Sequence, residues 1–191
     1  ETQNLKSQAV IIATGASAVW LNLPSEQRLI GKGVSSCAVC DGFFFKDKNV
    51  IVVGGGDTAM REVNYLSKLC KQVTVVHRRD ALRAQKALQE LVKSKSNVDF
   101  IWNSEVLEVL GQDKVTGVKL KNTQTGQISQ LQIDGVFIAI GHKPNTDFLK
   151  GQIELDQKGY IVVHDETKTS IEGVFVAGDV ADYHYRQAVT A

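Results

Sequence analysis

An excess of one charge, a long hydrophobic run and a recognisable leader are all missing from this sequence. Its 22 basic and 21 acidic residues leave a formal net charge of +1, and this balance does not predict a nucleic-acid partner. No apolar run approaches the roughly 20 residues that span a bilayer, so we expect no membrane partner. The first residues lack a basic and an apolar segment, and a targeting peptide is therefore expected to be absent or already removed.

Cysteine is also scarce, with three residues in the chain, but two of them, Cys37 and Cys40, form a Cys-x-x-Cys pair followed directly by Asp41. Thiols at this spacing can close a short, reducible disulfide, and an adjacent carboxylic acid can protonate the sulfur that leaves as thiolate. The pair predicts dithiol oxidoreduction. Few cysteines with such a pair are typical of a reducing compartment, so we expect a cytoplasmic protein.

The same pair is also compatible with a static disulfide, or with a zinc site completed by Cys70 and His77. The sequence has no second Cys-x-x-Cys, and helical spacing places Cys70 on a buried face, so we expect no metal. Asp41 has an alternative role too, as a helix cap.

The overall composition, with 43% hydrophobic residues, is that of an ordinary α/β protein. Residues 49–79 are predicted to form a βαβ unit, with a strand over 49–53, a glycine turn, a helix over 57–70 and a strand over 73–77. On that helix the side chains of Arg61 and Glu62 are expected to point away from the buried face. That face is formed by Ala59, Val63, Leu66 and Cys70.

Further elements are predicted on both sides of this unit. The apolar runs 9–13 and 173–180 predict fully buried strands, and a helix is expected over 81–93. The intervening stretch is predicted to be an antiparallel meander beside the parallel sheet, with strands near 99–102, 105–110, 115–120, 128–133 and 136–140.

The glycine turn has the spacing Gly54-x-Gly56-x-x-Ala59, between a hydrophobic strand and an amphipathic helix. In a dinucleotide site the first glycine permits the turn, the second lets the pyrophosphate approach the backbone, and the alanine keeps helix and strand close. The phosphates lie at the amino terminus of the helix. The turn therefore predicts nucleotide binding, although glycine-rich turns also occur for packing reasons alone.

The second strand of the unit ends in His77, Arg78 and Arg79, with Arg83 nearby, where an NADH site carries an acidic residue. Guanidinium groups there favour a 2′-phosphate, so NADPH is predicted. The alternative is an exposed basic cap on a strand end. A hydride carries two electrons together, whereas a disulfide opens by thiolate attack or through an electron-accepting ring. We therefore also expect an intermediary between the nicotinamide and the disulfide, such as a flavin.

Seven motifs, taken together and in order, resemble the low-molecular-weight thioredoxin reductases. They are Ala13-Thr14-Gly15, Cys37-Ala38-Val39-Cys40-Asp41-Gly42, Gly54-Gly55-Gly56-Asp57-Thr58-Ala59, His77-Arg78-Arg79-Asp80, Gly141-His142-Lys143-Pro144-Asn145-Thr146, Gly173-Val174-Phe175-Val176-Ala177-Gly178-Asp179 and Tyr185-Arg186-Gln187-Ala188. The resemblance implies a Rossmann-like NADPH-binding domain over residues 19–142, inserted into remnants of an FAD-binding domain over 1–18 and 143–191. It implies that electrons pass from NADPH to FAD, to the Cys37–Cys40 disulfide and to thioredoxin, in a homodimer.

The resemblance also implies roles for individual residues. Asp41 is similar to the family's acid, and Cys40 is expected to be the sulfur that faces flavin or substrate. The implied NADPH ligands are Gly54, Gly56, Asp57, Thr58, Ala59, His77, Arg78, Arg79, Arg83, Ile140 and Gly141. The implied FAD ligands are Thr14, Gly15, Gly178, Asp179, Arg186, Gln187 and Ala188.

One family signature, an amino-terminal Gly-x-Gly-x-x-Gly for flavin, is not in this sequence. We therefore expect an interior piece of a longer enzyme, whose residues 20–140 fold as a self-sufficient NADPH module without bound FAD. Two rival hypotheses are the flavoprotein subunit of alkyl hydroperoxide reductase and a catalytically silent NADPH-binding module. The first is disfavoured by Val39, since that subunit typically has histidine before the second cysteine.

Overall fold

The computed structural model describes residues 5–190, which divide into two units. The central unit comprises residues 19–141, and the flanking unit comprises the segments on either side of it, 1–18 and 142–191. The parts of the predictions that concern residues 1–4 and Ala191, including the expected lack of a leader, lie outside the described residues.

The strands and helices are numbered in chain order. The strands are β1 (Val10–Ile12), β2 (Ala16–Ala18), β3 (Val34–Ser35), β4 (Asn49–Val53), β5 (Gln72–Val76), β6 (Val98–Ile101), β7 (Ser104–Leu110), β8 (Gly117–Asn122), β9 (Ile128–Gln132), β10 (Gly135–Ile138), β11 (His142–Pro144) and β12 (Val174–Val176). The α-helices are α1 (Pro24–Leu29), α2 (Ala38–Asp41), α3 (Asp57–Leu66) and α4 (Lys86–Lys93).

The central unit is built on a five-stranded sheet in the order β3-β10-β4-β5-β6, in which every neighbouring pair is parallel. A separate three-stranded antiparallel sheet has the order β7-β8-β9. The predicted α/β class, with a parallel sheet and antiparallel strands, is confirmed. The predicted meander was too long, because β6 and β10 belong to the parallel sheet. β10 is buried along its whole length, as a strand between two parallel neighbours must be.

Alternate residues of the parallel sheet face two different cores. Val50 and Val52 pack with helix α3, whereas Ile51 and Val53 pack with the antiparallel sheet. The helix contributes Ala59, Met60, Val63 and Leu66 to its core, and Cys70 joins them. The predicted buried face of the helix and the core position of Cys70 are thereby confirmed.

Two predicted helix boundaries were wrong. Helix α3 ends at Leu66 and not at Cys70, because the next residues form tight turns in which Lys68 N–H bonds the carbonyl of Tyr65. Helix α4 begins at Lys86 and not at residue 81. The residues before it are held in a loop, because their backbone N–H groups bond to the glycine turn after β4.

The described part of the flanking unit contains two two-stranded sheets, the parallel pair β1-β12 and the antiparallel pair β2-β11. Strands β1 and β12 were expected to be fully buried, and this was wrong. Val10 and Ile11 are 46% and 70% exposed, and Val174 and Phe175 are half-buried. Within the described residues β1 pairs only with β12, so its side chains lack cover. None of the helices in the described residues is long and apolar enough to cross a membrane.

Candidate active site

The segments with predicted chemistry follow four strands of the parallel sheet. The cysteine pair comes after β3, the glycine turn after β4, the basic cluster after β5, and Ile140 with Gly141 after β10. Because all these strands run in the same direction, their carboxyl ends lie at one edge. From β4 the chain adds β5 and then β6 on one side of that strand, and it later returns to place β10 on the other side. The strand order therefore reverses at β4, and sheets of this type bind ligands in the crevice at such a reversal.

The three glycines of the turn differ in what surrounds them. Gly54 has φ of 149°, and a Cβ there would lie 2.4 Å from the Ala139 carbonyl oxygen. A Cβ on Gly55 would lie 2.4 Å from the His77 ring. A Cβ on Gly56 would meet nothing within 4 Å, and its φ of −97° suits any residue. The chain itself does not require glycine at position 56, so the open space there fits an approaching pyrophosphate.

The loop before α4 is fastened to this turn. The Gly55 carbonyl oxygen accepts hydrogen bonds from the N–H groups of Arg83 and Ala84, at 2.7 and 3.2 Å. The Asp57 carboxylate accepts one from the Gln85 N–H at 2.8 Å. These bonds hold the backbone of Arg83 beside the glycine turn, at the start of α3.

The predicted phosphate ligands Arg78, Arg79 and Arg83 are all exposed. In the described part of the chain none of the three guanidinium groups takes part in an ion pair. Three uncompensated cations therefore surround the end of β5, and an anion is their natural counter-charge. Asp57, Thr58 and Ala59 form the first turn of α3, whose N–H groups have no intrahelical partners.

His77 is buried, and its ring packs beneath Gly55. Burial lowers its pKa, and the guanidinium groups of Arg83, Arg79 and Arg78 lower it further, against a hydrogen bond with the Ala81 backbone. The imidazole is therefore neutral at physiological pH, and it supports the glycine turn from below. Its predicted contact with NADPH stays a prediction.

The cysteines form a disulfide at the start of α2. Cys37 precedes the helix and is half-buried, and its sulfur accepts a hydrogen bond from the Cys40 N–H at 3.2 Å. Cys40 is exposed, so a thiol from another molecule can reach the bond. Three exposed apolar residues stand close to it in the sequence, Val39, Phe43 and Phe44.

Asp41 is tied to the backbone of Cys37 through Ser35, a residue that the sequence interpretation missed. The Ser35 hydroxyl donates to the Asp41 carboxylate at 2.6 Å and accepts from the Cys37 N–H at 3.0 Å. The alternative that Asp41 acts as a helix cap was wrong, because its side chain makes no capping hydrogen bond to the turn that follows. Ser35 and Asp41 also line an open cavity of about 260 Å³ whose wall includes Lys32, Lys48 and Lys114.

The predicted FAD residues follow the two strands of the parallel pair in the flanking unit. Thr14 and Gly15 come after β1, and Gly178 and Asp179 come after β12, so both segments lie at one edge. Asn145 holds the first segment. Its side-chain NH₂ donates to the Thr14 carbonyl, its backbone N–H donates to the Gly15 carbonyl, and its own carbonyl accepts from the Thr14 hydroxyl, each at 2.9 Å.

A second group of polar residues in the flanking unit contains His142, Asp179 and Arg186. Burial lowers the pKa of His142, the Arg186 guanidinium lowers it further, and the Asp179 carboxylate opposes both. In the described residues the buried atoms His142 Nδ1 and Arg186 Nε have no hydrogen-bond partner. Unpaired polar atoms beside a carboxylate fit a hydroxyl-rich or phosphorylated ligand such as FAD. Gln187 is half-buried and Ala188 is exposed.

The chain is similar to known proteins over nearly its whole length. The sequence profile of the pyridine nucleotide-disulphide oxidoreductase family matches residues 1–191. The thioredoxin reductase of Streptomyces coelicolor is 54% identical over 187 residues, which cover 97% of this chain and 58% of that protein. The thioredoxin reductase of Rickettsia conorii is 52% identical and covers 97% and 61%. The chain thus spans about three fifths of the length of these curated relatives.

The structure is also similar to solved structures of thioredoxin reductases. The crystal structure of thioredoxin reductase from Streptococcus pyogenes superimposes with a TM-score of 0.87 and 48% identity, covering 95% of this chain and 60% of that one. Thioredoxin reductase from Giardia duodenalis gives a TM-score of 0.88 and 44% identity, covering 96% and 60%.

Proposed function

Because the chain belongs to the pyridine nucleotide-disulphide oxidoreductase family, we propose that it is the central part of a thioredoxin reductase that uses NADPH and FAD. The observation that carries the proposal is the position of an accessible disulfide and a glycine turn with open space at Gly56 at one edge of the same parallel sheet. Identities near 50% to thioredoxin reductases support the choice of reaction.

In this proposal the central unit holds the nicotinamide nucleotide. Gly56 and the first turn of α3 would hold the pyrophosphate, and Arg78, Arg79 and Arg83 would hold the 2′-phosphate. Two charge-assisted contacts of about 1.5 to 3 kcal/mol each would favour NADPH over NADH at least a hundredfold. Ile140 and Gly141, at the neighbouring strand end, complete the crevice.

The flanking unit supplies residues for FAD. Asp179 would bind hydroxyl groups of the cofactor, and the unpaired atoms of His142 and Arg186 would gain partners. When both cofactors are bound, they would supply the hydride and the two-electron carrier that reduction of the disulfide needs. Thr14 and Gly15 are held in place by Asn145 before any ligand arrives.

The disulfide is regenerated by exchange with thioredoxin. A thiolate of the reduced pair attacks the disulfide of thioredoxin, which forms a mixed disulfide and releases one thioredoxin sulfur as thiolate. The second cysteine then attacks the mixed disulfide, so that reduced thioredoxin leaves and the Cys37–Cys40 bond is restored. Asp41, held by Ser35 near the pair, protonates the departing sulfur. The exposed Phe43 and Phe44 offer an apolar surface for docking.

The proposal is tested by NADPH-driven reduction of thioredoxin, in the presence of added FAD, by the enzyme that contains this chain. Serine at both Cys37 and Cys40 should abolish turnover, and alanine at both Arg78 and Arg79 should reduce the preference for NADPH about a hundredfold. Cys70→Ser is the matched control, because Cys70 is a buried core thiol with its pKa raised to about 11. Retained turnover in the double serine variant would refute the proposal.

A yellow flavin spectrum of the purified 191-residue chain separates the remaining alternatives. A colourless chain that binds NADPH is a nucleotide-binding module in this form, as the sequence predicts. The homodimer and the cytoplasmic location also stay proposals. The alkyl hydroperoxide reductase alternative gains no support from the relatives named above.

A further inference from the structure

The backbone that carries Arg78 and Arg79 is fastened to two neighbouring segments of the central unit. The N–H of Asn103, which lies between β6 and β7, donates to the Arg79 carbonyl at 3.1 Å. The Thr123 hydroxyl donates to the Asn103 carbonyl at 3.0 Å and lies 3.5 Å from the Arg78 carbonyl oxygen. The Thr123 N–H also donates to the Asn103 carbonyl, at 2.6 Å. Asn103 therefore connects the arginine segment after β5 with Thr123, in the turn that joins β8 to β9.

From these contacts we propose that Asn103 and Thr123 are positioning residues for the recognition of the 2′-phosphate of NADPH. They act through the backbone from which Arg78 and Arg79 extend. The inference rests on the proposed function, because it assumes that these arginines bind that phosphate. It adds two residues that determine how strongly the chain distinguishes NADPH from NADH.

The connection depends on the backbone conformation of Asn103. Its φ is 48°, in the left-handed region, which glycine and asparagine adopt readily and β-branched residues avoid. In this conformation its N–H meets Arg79 and its carbonyl meets Thr123, so one residue joins both segments. An extended conformation would turn these groups in other directions. The position therefore requires a residue that tolerates positive φ.

The turn that carries Thr123 is itself closed by hydrogen bonds. The Asn122 side-chain oxygen accepts from the N–H groups of Gln124 and Thr125, each at 2.9 Å. The N–H of Gly126 donates to the Asn122 carbonyl, also at 2.9 Å. Thr123 is thus held in place by its own turn before any nucleotide binds.

The arginine side chains themselves are exposed. A long side chain on a mobile backbone loses conformational entropy when it binds a ligand, and this loss weakens binding. A backbone that is already fixed reduces the loss. Arg83 has such an anchor at Gly55, and Asn103 and Thr123 supply one for the other two arginines. They should therefore strengthen the binding of NADPH and not that of NADH, which has no 2′-phosphate.

The test compares the binding of NADPH and NADH to the 191-residue chain by isothermal titration calorimetry. Asn103→Val disfavours positive φ, whereas Asn103→Gly permits it and is the matched control. We expect Asn103→Val to weaken NADPH binding about tenfold and NADH binding less than about twofold. In Asn103→Gly the ratio of the two dissociation constants should stay within about threefold of the wild-type ratio.

A second pair of variants keeps the proposal testable if Asn103→Val fails to fold. Thr123 is exposed, so its substitution disturbs no core. Thr123→Val removes the hydroxyl but keeps the N–H bond to Asn103, whereas Thr123→Ser keeps both. Thr123→Val should reduce the preference for NADPH about threefold, and Thr123→Ser should retain it.

An unchanged preference in folded Asn103→Val or in Thr123→Val would overturn the proposal. Equal losses of NADPH and NADH affinity would also overturn it, because they would indicate general damage to the nucleotide site. So would an Asn103→Gly variant that loses as much preference as Asn103→Val. A wild-type chain that binds NADPH no more tightly than NADH would overturn the proposed function as well, whereas a wild-type preference that the variants retain would contradict this inference alone.

Discussion

The central and flanking units are held together by different kinds of interaction. The central unit has two large cores on the faces of a five-stranded sheet, and many of their side chains have no exposed area at all. In the described residues the flanking unit has one small core around Ile12, Ile161 and Val180, and its two sheets have two strands each. Its loops are fixed largely by polar contacts, such as those of Asn145.

This difference matters for the two proposed ligand sites. In the central unit the glycine turn is fixed by packing, since Gly54 contacts Ala139 and Gly55 contacts the His77 ring. In the flanking unit His142 and Arg186 keep buried polar atoms unpaired among the described residues. The first proposed site is thus preorganised by the chain itself, whereas the second would gain hydrogen bonds from the proposed ligand.

The largest expected effect comes from truncating a buried side chain of the central unit, in comparison with an exposed side chain on a strand of the flanking unit. Leu66→Ala should lower the free energy of unfolding by about 2 to 5 kcal/mol, because Leu66 is fully buried in the larger core. Ile11→Ala should change it by less than about 0.5 kcal/mol, because Ile11 is 70% exposed. Urea unfolding followed by circular dichroism measures both. Equal losses would contradict the contrast between the units.

A smaller effect is expected from the polar contacts of the flanking unit. Asn145→Ala removes the side-chain bonds to the Thr14 carbonyl and the Ser17 hydroxyl, and should cost about 1 to 2 kcal/mol. Hydrogen exchange should accelerate near residues 14–17 and remain unchanged in β4 and β5. Asn64→Ala is a control in the central unit, because Asn64 is a half-buried residue of α3. Faster exchange in the parallel sheet of the Asn145 variant would show that the units do not respond separately.

The βαβ unit was predictable because its signals are local. Strand β4 is confirmed at the predicted residues 49–53, since a run of apolar residues is closed by Gly54. The period of helix α3 gave its buried face, since Ala59, Val63 and Leu66 recur at spacings of three and four. Motif spacing likewise identified the disulfide pair and the glycine turn, because each of these motifs is contiguous in the sequence.

Pairing over long distances was not predictable from local pattern. β10 pairs with β4, which lies some eighty residues earlier, and nothing in its apolar run distinguishes a parallel partner from an antiparallel one. The late start of α4 has a similar origin. Residues 83–85 have helix-forming character, but their N–H groups bond to Gly55 and Asp57 instead.

A supporting residue of the site was missed for the same reason. Ser35 is an ordinary polar residue in the sequence, and only the packing of β3 against the disulfide segment brings it to Asp41. The exposed β1 is the converse case. Its apolar run predicts burial, but burial needs a covering layer, and the described residues of the flanking unit provide little of one.

The two units should also differ in how their stability responds to pH. Glu62 keeps its proton in the folded state up to about pH 8, whereas the unfolded chain loses it above about pH 4.5, so the central unit should lose stability as pH rises between these values. His142 has a lowered pKa, so the flanking unit should gain stability up to about pH 6.5 and then level off. His77 gives the central unit the same gain below pH 6.5, which leaves pH 6.5 to 8 as the window that separates the units.

Hydrogen exchange, corrected for the intrinsic pH dependence of the rate, should show falling protection in that window only for β4 and β5, and Glu62→Gln should remove the fall. A parallel decline in the segments around β1 and β12 would mean that one titration controls both units.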